Sequence, residues 1–308
     1  MGDNALFEGS EFALLFEESG ASPLLSPPPS STLPFKGNPA MIKLQKRAFI
    51  RTLLAAACAF AFAGAAQAEN VKLKVGVTPG SHALVMEQVK PLAAKEGIDL
   101  QVIEFNDYVQ PNAALAAGDL DLNSMQHKPY LDQQIKDRGY KFAIIGTTLT
   151  EPIGIYSKKV KSLAELQEGA RFGIPSDPSN GGRVLLLLQE KGLIKIKPGT
   201  GLTPSPLDVV DNPKKLKFVE LDAPQLPRSL PDLDAAGINT NFALEAGLNP
   251  KTDAITQEGP NGPYANILVV RAEDQAKPWV AKLLKAYQND TIRKYIDEKF
   301  KGAVIPSF

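Results

Sequence analysis

The amino-acid sequence predicts an α/β protein of two lobes, with a cleft between them and two extended segments crossing from one lobe to the other. Strand-like and helix-like segments alternate through short Gly- and Pro-containing connections, which is typical of sheets with mainly parallel strands. The alternation restarts near residue 152, and an extended apolar segment at 265–270 mirrors the one at 152–156. The length of 308 residues also suits two lobes.

The predicted first lobe opens with a strand at Val71–Val77, where alternating residues give way to an apolar run. A turn at 78–81 precedes a helix that extends to Lys95 and carries apolar side chains on one face. The later elements of this lobe are a strand at 99–105, a helix at 113–117 ended by Gly118, a strand at 119–122, a helix at 129–138 and a strand at 141–145.

The predicted second lobe begins with the extended segment 152–156, and Ser162 and Glu165 have the spacing of a helix-capping box. Its other elements are strands at 171–175, 217–221 and 235–239, a helix at 182–192, and the crossing at 265–270. Helices over 276–300 then return to the first lobe. We therefore expect one lobe from residues 69–152 plus 271–308 and the other from 153–270. Gly237 is unusual inside a strand and indicates a bulge or a close backbone approach.

The N-terminal region predicts an exported protein. Residues 1–40 contain clustered prolines and serines, which indicates a disordered extension that is not part of the mature protein. Residues 41–68 combine a basic start, a short apolar run and an Ala-Gln-Ala end, the features of a signal peptide cleaved after Ala68. Two alternatives remain: a permanent N-terminal anchor, and a lipid anchor on Cys58.

Composition and motifs argue against catalysis. The 34 basic and 34 acidic residues balance, so no nucleic-acid partner is indicated. A single cysteine and two histidines are too few for an intramolecular disulfide or a histidine-built metal site. Phosphate-binding glycine loops and a Gly-x-Ser-x-Gly elbow are missing from the sequence. His82 follows Ser81, but adjacency alone does not make a catalytic triad. We expect no enzyme activity, cofactor or metal.

Polar and aromatic side chains cluster where predicted strands end, at the expected cleft. A free amino acid needs a guanidinium or helix N-terminus for its carboxylate, oxygen acceptors for its ammonium, and an apolar slot for its side chain. The clusters contain all three kinds of group. They lie at 105–108, 125–130, 176–183, 238–241 and 264–266.

Long segments of the chain resemble the methionine-binding NlpA family. The segments that carry the resemblance are FNDYVQPNAAL (105–115), QHKPYLDQQIKDRGYK (126–141), SKKVKSLAELQEGA (157–170), DPSNGGRVLLLLQEKGLIK (177–195), LDVVDNPKKLKFVELDAPQLPRSL (207–230) and INTNFALEAGL (238–248). This resemblance implies a type II periplasmic-binding fold and a monomeric periplasmic protein. It also implies delivery of methionine, either as the L-enantiomer alone or as both enantiomers, to the membrane permease and ATPase of an ABC importer.

The resemblance also implies roles for eight residues. The slot for the methionine side chain would be formed by Tyr108, Met125, His127 and Tyr130. Arg183 would take the carboxylate with Asn180 beside it, and Asn239 and Asn266 would hold the ammonium and carboxylate. The family commonly has Phe where Met125 stands, so the selectivity of the slot can differ here. The alternatives are another small apolar amino acid or a methionine derivative as ligand, or a non-transport surface or adhesion protein of the same fold.

Overall fold

The computed structural model describes residues 70–308, which form two main β-sheets and the helices that cover them. The predicted disordered extension, the signal peptide with Ala68, and Cys58 lie outside the described residues. None of the described helices is both long and apolar enough to cross a membrane.

The strands are, in chain order, β1 (Val71–Val77), β2 (Ile98–Glu104), β3 (Leu122–His127), β4 (Phe142–Thr150), β5 (Gly154–Tyr156), β6 (Arg171–Pro175), β7 (Lys195–Ile196), β8 (Val209–Asp211), β9 (Lys217–Leu221), β10 (Ala235–Ile238), β11 (Ala254–Gln257), β12 (Ala265–Arg271) and β13 (Ile305–Pro306). The α-helices are α1 (Ser81–Lys95), α2 (Gln110–Ala117), α3 (Lys128–Arg138), α4 (Pro178–Glu190), α5 (Leu226–Ser229), α6 (Thr240–Glu245), α7 (Pro278–Tyr287) and α8 (Asp290–Phe300).

The first sheet has six strands in the order β13-β4-β12-β3-β1-β2. Strands β1, β2 and β3 pair in parallel, and β12 runs antiparallel between β3 and β4. Because β12 is antiparallel to both of its neighbours, β3 and β4 run in the same direction. The carboxyl ends of β1, β3 and β4 therefore lie at one edge of the sheet, together with the beginning of β12. This edge is where connecting loops bring side chains together in such sheets.

The second sheet has five strands in the order β11-β5-β10-β6-β9, with β10, β6 and β9 in parallel. The chain passes from β4 of the first sheet to β5 of the second at 151–153, and from β11 back to β12 at 258–264. Strand β12 thus belongs to the first sheet, although the predicted lobe limits place most of it with the second lobe.

Each sheet has its own apolar core. In the first, α1, α7 and α8 pack on the sheet through fully buried residues such as Val89, Leu283 and Ile296. In the second, α4 packs on β6 through Val184 and Leu188, which are buried with Phe172. Helices from residues 278–300 return to the first sheet because their apolar faces complete that core.

Several predicted elements were wrong in detail. The third strand is Leu122–His127 and not 119–122, and the long helix begins at Pro178 and not at 182. Ser162 precedes only a 3-10 turn, Leu163–Glu165, and its side chain does not cap that turn. The expected parallel pairing holds for β1, β2 and β3 and for β6, β9 and β10, but β5, β11, β12 and β13 pair antiparallel, so both sheets are mixed.

The errors at β3 and at the start of α4 share a cause. At both places, side-chain hydrogen bonds satisfy polar groups that an apolar pattern in the sequence does not show. All six residues of β3 are buried, and its Asn123 and Gln126 are bonded to Asn112 of α2, so no apolar pattern marks the strand. At the start of α4, the Asp177 carboxylate accepts from the backbone N–H of Asn180 and begins the helix four residues early.

Gly237 marks a close approach and not a bulge. Its pairing with Ile155 of β5 is regular, but a Cβ atom at this position would lie 2.4 Å from Val184 Cγ2 on α4. The missing side chain therefore lets α4 pack directly on β10.

We predict that Gly237→Ala lowers the free energy of unfolding by about 1–3 kcal/mol, because the added methyl group overpacks the core against Val184. Urea unfolding measures the change. Gly259→Ala is the matched control, since a Cβ there meets no heavy atom within 4 Å. Adding Val184→Ala to the Gly237→Ala protein should recover part of the loss. Equal stability of the Gly237→Ala and Gly259→Ala proteins would contradict the prediction.

Candidate functional site

A pocket lies between the carboxyl-end edges of the two sheets. All eight residues predicted for the site line it: Tyr108, Met125, His127, Tyr130, Asn180, Arg183, Asn239 and Asn266. The other lining residues were not predicted as ligand contacts, and they are His82, Gln126, Glu151, Thr240 and Asn241. The pocket therefore draws on the last residues of β3, the first residues of β12, and residues that follow β1, β2, β3, β4, β6 and β10.

A chain of buried hydrogen bonds determines which way the amides of the pocket face. Asn180 Nδ2 donates to both carboxylate oxygens of Asp177, at 3.1 and 3.0 Å, so Asn180 Oδ1 faces the opposite way. That oxygen accepts from Asn239 Nδ2 at 2.9 Å and contacts His127 Nε2 at 3.1 Å. Asn239 Oδ1 is then buried with no hydrogen-bond partner among the described residues. It is an acceptor available to a ligand.

His127 is a neutral donor in this network. Its Nδ1 accepts the backbone N–H of Tyr130 at 3.2 Å and caps α3, which leaves the proton on Nε2 for Asn180. Burial, helped by the positive charge of Arg183, lowers the pKa of His127 to about 3. The ring therefore stays uncharged at neutral pH and joins the first sheet to α4 by a hydrogen bond.

Arg183 lies buried on α4 with most of its donors in use. Its Nε donates to Glu258, 3.0 Å from Oε2, and its Nη2 donates to the backbone oxygen of Glu151 at 2.8 Å. The guanidinium carbon lies 4.1 Å from the centre of the Tyr264 ring, which stacks against it. Only Nη1 makes no hydrogen bond within residues 70–308, so it is the donor left for an anionic group.

Aromatic rings form the opposite wall. The ring centres of Tyr108 and Tyr130 lie 5.8 Å apart with their planes at 66°, and Tyr108 lies 5.0 Å from Phe242 of α6. Burial, and next the charge of Glu151, raise the pKa of Tyr108 well above its usual value, so the hydroxyl remains a donor. Met125 is buried beside these rings at 2% exposure. The wall is apolar enough for a thioether or aliphatic chain.

Glu151 is the charged residue of the pocket that the sequence analysis missed. It directly follows β4, and its carboxylate accepts hydrogen bonds from Ser81 Oγ and from Asn266 Nδ2, the latter at 3.2 Å. His82 Nε2 lies 3.0 Å from the same carboxylate. Burial alone would raise the pKa of Glu151, but His82 and the hydrogen bonds from His82 and Ser81 bring it below its usual value. The available signal was an acidic residue directly before the predicted extended segment 152–156.

Ser81, His82 and Glu151 do not form a nucleophilic triad. In a triad the serine bonds to the histidine and the histidine to the acid. Here both Ser81 and His82 bond to Glu151 and not to each other, so the serine-to-histidine bond of a triad is absent from these three residues. Among residues 70–308 no group of three or more His, Cys, Asp or Glu side chains could hold a metal ion.

The two lobes are closed on each other in this structure. Tyr108 Oη donates to Asn241 Oδ1 at 2.6 Å, and Asn241 Nδ2 lies 3.4 Å from Thr78 Oγ1. Gly80, which has a positive φ of 85°, lies so close to Asn241 that a Cβ atom would be 2.7 Å from its backbone oxygen. Glycine at position 80 is thus required both by its conformation and by the contact between lobes.

A family model described as NlpA lipoprotein matches residues 73–308. The chain belongs to the NlpA lipoprotein family. The D-methionine-binding lipoprotein MetQ of Escherichia coli is 50% identical over 236 residues, which cover 76% of this chain and 87% of the relative. Outer membrane lipoprotein 3 of Mannheimia haemolytica is 46% identical over 235 residues, with 76% and 89% coverage.

Solved structures of NlpA-like proteins share the fold. A nutrient-binding protein from Burkholderia cenocepacia, solved with bound methionine, is 55% identical with a TM-score of 0.75, and the match covers 77% of this chain and all of that one. The structure of the methionine-binding protein MetQ is 50% identical, also with a TM-score of 0.75, and covers 77% and 98%. The two-lobed periplasmic-binding fold and the family predicted from the sequence are confirmed.

We predict that the free energy of unfolding of the His127→Asn protein falls less in acid than that of the parent protein. The folded-state pKa of about 3 lies below the unfolded value, so the unfolded chain takes up the proton first. The stabilising effect of neutral His127 is therefore complete above the unfolded pKa of about 6.5 and is lost as the pH falls toward 3.

Urea unfolding of the ligand-free protein at a series of pH values measures this effect. Asparagine can still cap the helix but cannot titrate. As the pH falls by roughly two units below 6, the free energy of unfolding of the variant should therefore decrease by about 2 kcal/mol less than that of the parent. All carboxylates are common to the two proteins, and the difference between their curves isolates His127. Parallel curves would mean that His127 does not carry the effect.

Proposed function

We propose that this protein is the solute-binding component of an ABC importer and that it binds methionine in the closed cleft for delivery to a permease. The observation that carries the proposal is the pocket itself, in which one free guanidinium donor, free amide acceptors and a slot of aromatic and Met side chains converge. The Burkholderia cenocepacia relative, solved with methionine, supports the choice of ligand. Relatives named D-methionine-binding make the D-enantiomer the second ligand to test.

The roles of the pocket residues follow from the groups that the hydrogen bonds leave open. Arg183 Nη1 would bind the carboxylate, and Asn239 Oδ1 would accept from the ammonium. Asn266 gives its Nδ2 to Glu151, so its Oδ1 remains as a second acceptor. Tyr108 and Met125 would then contact the thioether chain, together with the rings of Tyr130 and His127.

Ligand binding and lobe closure would stabilise each other. Tyr108 and His127 belong to the first lobe, and Asn180, Arg183 and Asn239 to the second, so a ligand that contacts both sets favours the closed state. A charge paired in a desolvated cleft and a buried thioether indicate a dissociation constant of about micromolar or tighter.

The proposed function is binding without chemistry, in a monomer that delivers its ligand to a membrane permease driven by an ATPase. The bonding of both Ser81 and His82 to Glu151 supports the first part, because these three residues do not form a Ser-His-acid triad. We propose export to the periplasm through the signal peptide. The lipoprotein names of the relatives keep the lipid anchor on Cys58 as the alternative to a free protein beginning at Glu69.

We predict that the secreted protein, unfolded and refolded to remove retained ligand, binds L-methionine tightly and leucine weakly in calorimetric titration. Arg183→Ala should lose at least about 2 kcal/mol of L-methionine binding, because a buried carboxylate loses its charged partner. Arg138→Ala, which removes an exposed arginine of α3, is the matched control and should bind as the parent does. Wild-type binding by Arg183→Ala would refute the role of this residue.

We predict that the intact mass of the exported protein corresponds to residues 69–308 without lipid, because the apolar run after Cys58 belongs to a cleaved signal peptide. Mass spectrometry of the periplasmic fraction and of the detergent-soluble membrane fraction measures this. A diacylated protein that begins at Cys58 and partitions into detergent would establish the lipid anchor instead.

A further inference from the structure

The charges of the pocket are unevenly matched before any ligand binds. Arg183 already has a carboxylate partner, since Glu258 approaches to 2.5 Å from Nη2 and is also bonded to Nε. Glu151, by contrast, is bonded to a serine, an asparagine and a histidine, and among the described residues no Lys or Arg side chain forms an ion pair with it. Among residues 70–308, the one basic side chain on the Glu151 carboxylate is thus His82, whereas the Glu258 carboxylate is paired with a guanidinium.

Glu151 is also held rigidly at the place where an ammonium would lie. Its side chain is only 8% exposed, and it lines the pocket together with Asn239 and Asn266. Ser81 and His82 come from the first turn of α1, and Asn266 begins β12, the strand beside β4. Three donors from two neighbouring elements therefore fix the carboxylate, while its remaining lone pair stays open.

The bond from Asn266 to Glu151 adds a second effect. Because Asn266 Nδ2 donates to the carboxylate at 3.2 Å, its Oδ1 cannot take that position and must point elsewhere. Asn239 is oriented in the same sense by Asn180. A carboxylate and two oriented amide oxygens match the three N–H groups of a primary ammonium, whereas a hydroxyl or an acylated amine has a single hydrogen to donate and would leave two of them unsatisfied.

We infer that Glu151 is the residue that makes the pocket specific for ligands with a free α-ammonium, acting as the counter-charge and as the group that orients Asn266. This inference rests on the proposed function, because it assumes that a free amino acid occupies the cleft. It assigns selectivity to a residue outside the eight predicted contacts. It also predicts exclusion of N-acylated and deaminated analogues that keep the same side chain and carboxylate.

The test compares two ligands that differ only in the ammonium group, L-methionine and 4-(methylthio)butanoate. The measured quantity is the dissociation constant of 4-(methylthio)butanoate divided by that of L-methionine. Both are obtained by calorimetry, with competition for the weaker ligand. In Glu151→Gln this ratio should fall about 10- to 100-fold, the range expected for a hydrogen bond to a charged group. Affinity for the deaminated ligand should change little, because that ligand makes no use of the charge.

Glu258→Gln is the matched control, since it removes the other carboxylate near Arg183. Both ligands have the carboxylate that Arg183 would bind, so this variant should shift both affinities by a similar factor and leave the ratio unchanged. Glu151→Asp, which keeps the charge, should retain most of the ratio. If Glu151→Gln does not fold, Ser81→Ala replaces it, and loss of one donor should lower the ratio about 3-fold or more.

The outcomes separate the two proposals. If the wild-type protein fails to bind L-methionine, the proposed function and this inference both fall. If it binds L-methionine but Glu151→Gln weakens both ligands equally, the role of Glu151 is structural and only this inference is overturned. An unchanged ratio in Ser81→Ala, where that variant must be used, overturns it as well.

Discussion

The buried charges of the cleft are the constraint on which the rest of the site depends. A guanidinium and a carboxylate placed in a desolvated space must each be paired or hydrogen-bonded, or the folded state becomes costly. Arg183 meets this demand with Glu258, the Tyr264 ring and a backbone oxygen, and Glu151 meets it with three donors. The residues around the pocket are therefore needed for folding as well as for binding.

This demand explains why the polar residues of the cleft form chains and not isolated pairs. Asp177 starts α4, orients Asn180, and through it orients both His127 and Asn239. A change at one end of this chain alters which atoms face the ligand at the other. Coupling of this kind makes a pocket selective, because an incorrect ligand leaves a buried amide or ring nitrogen unpaired.

The sequence predicted the lobed α/β architecture well and the ends of several elements poorly. Apolar periodicity located β1 and α1, whose side chains face an ordinary hydrophobic core. It failed at β3, because Asn123 and Gln126 are buried through amide contacts that no local pattern shows. The eight predicted site residues all line the pocket, and their choice came from the family resemblance and not from spacing. Glu151 escaped notice because its partners, Ser81 and Asn266, are 70 and 115 residues away in sequence.

The contact between Gly80 and Asn241 sets a mechanical limit on the cleft. The backbone of Gly80 lies against the backbone of Asn241 there, so no side chain that could move separates the two. Closure consequently ends at a position set by the protein and not by the size of its cargo. A small amino acid and a well-fitting one would give the same closed outline, and a membrane partner that recognises this outline receives no information about which one is inside. The choice between ligands must therefore be made by the free energy of binding and closure, before the protein meets a membrane partner.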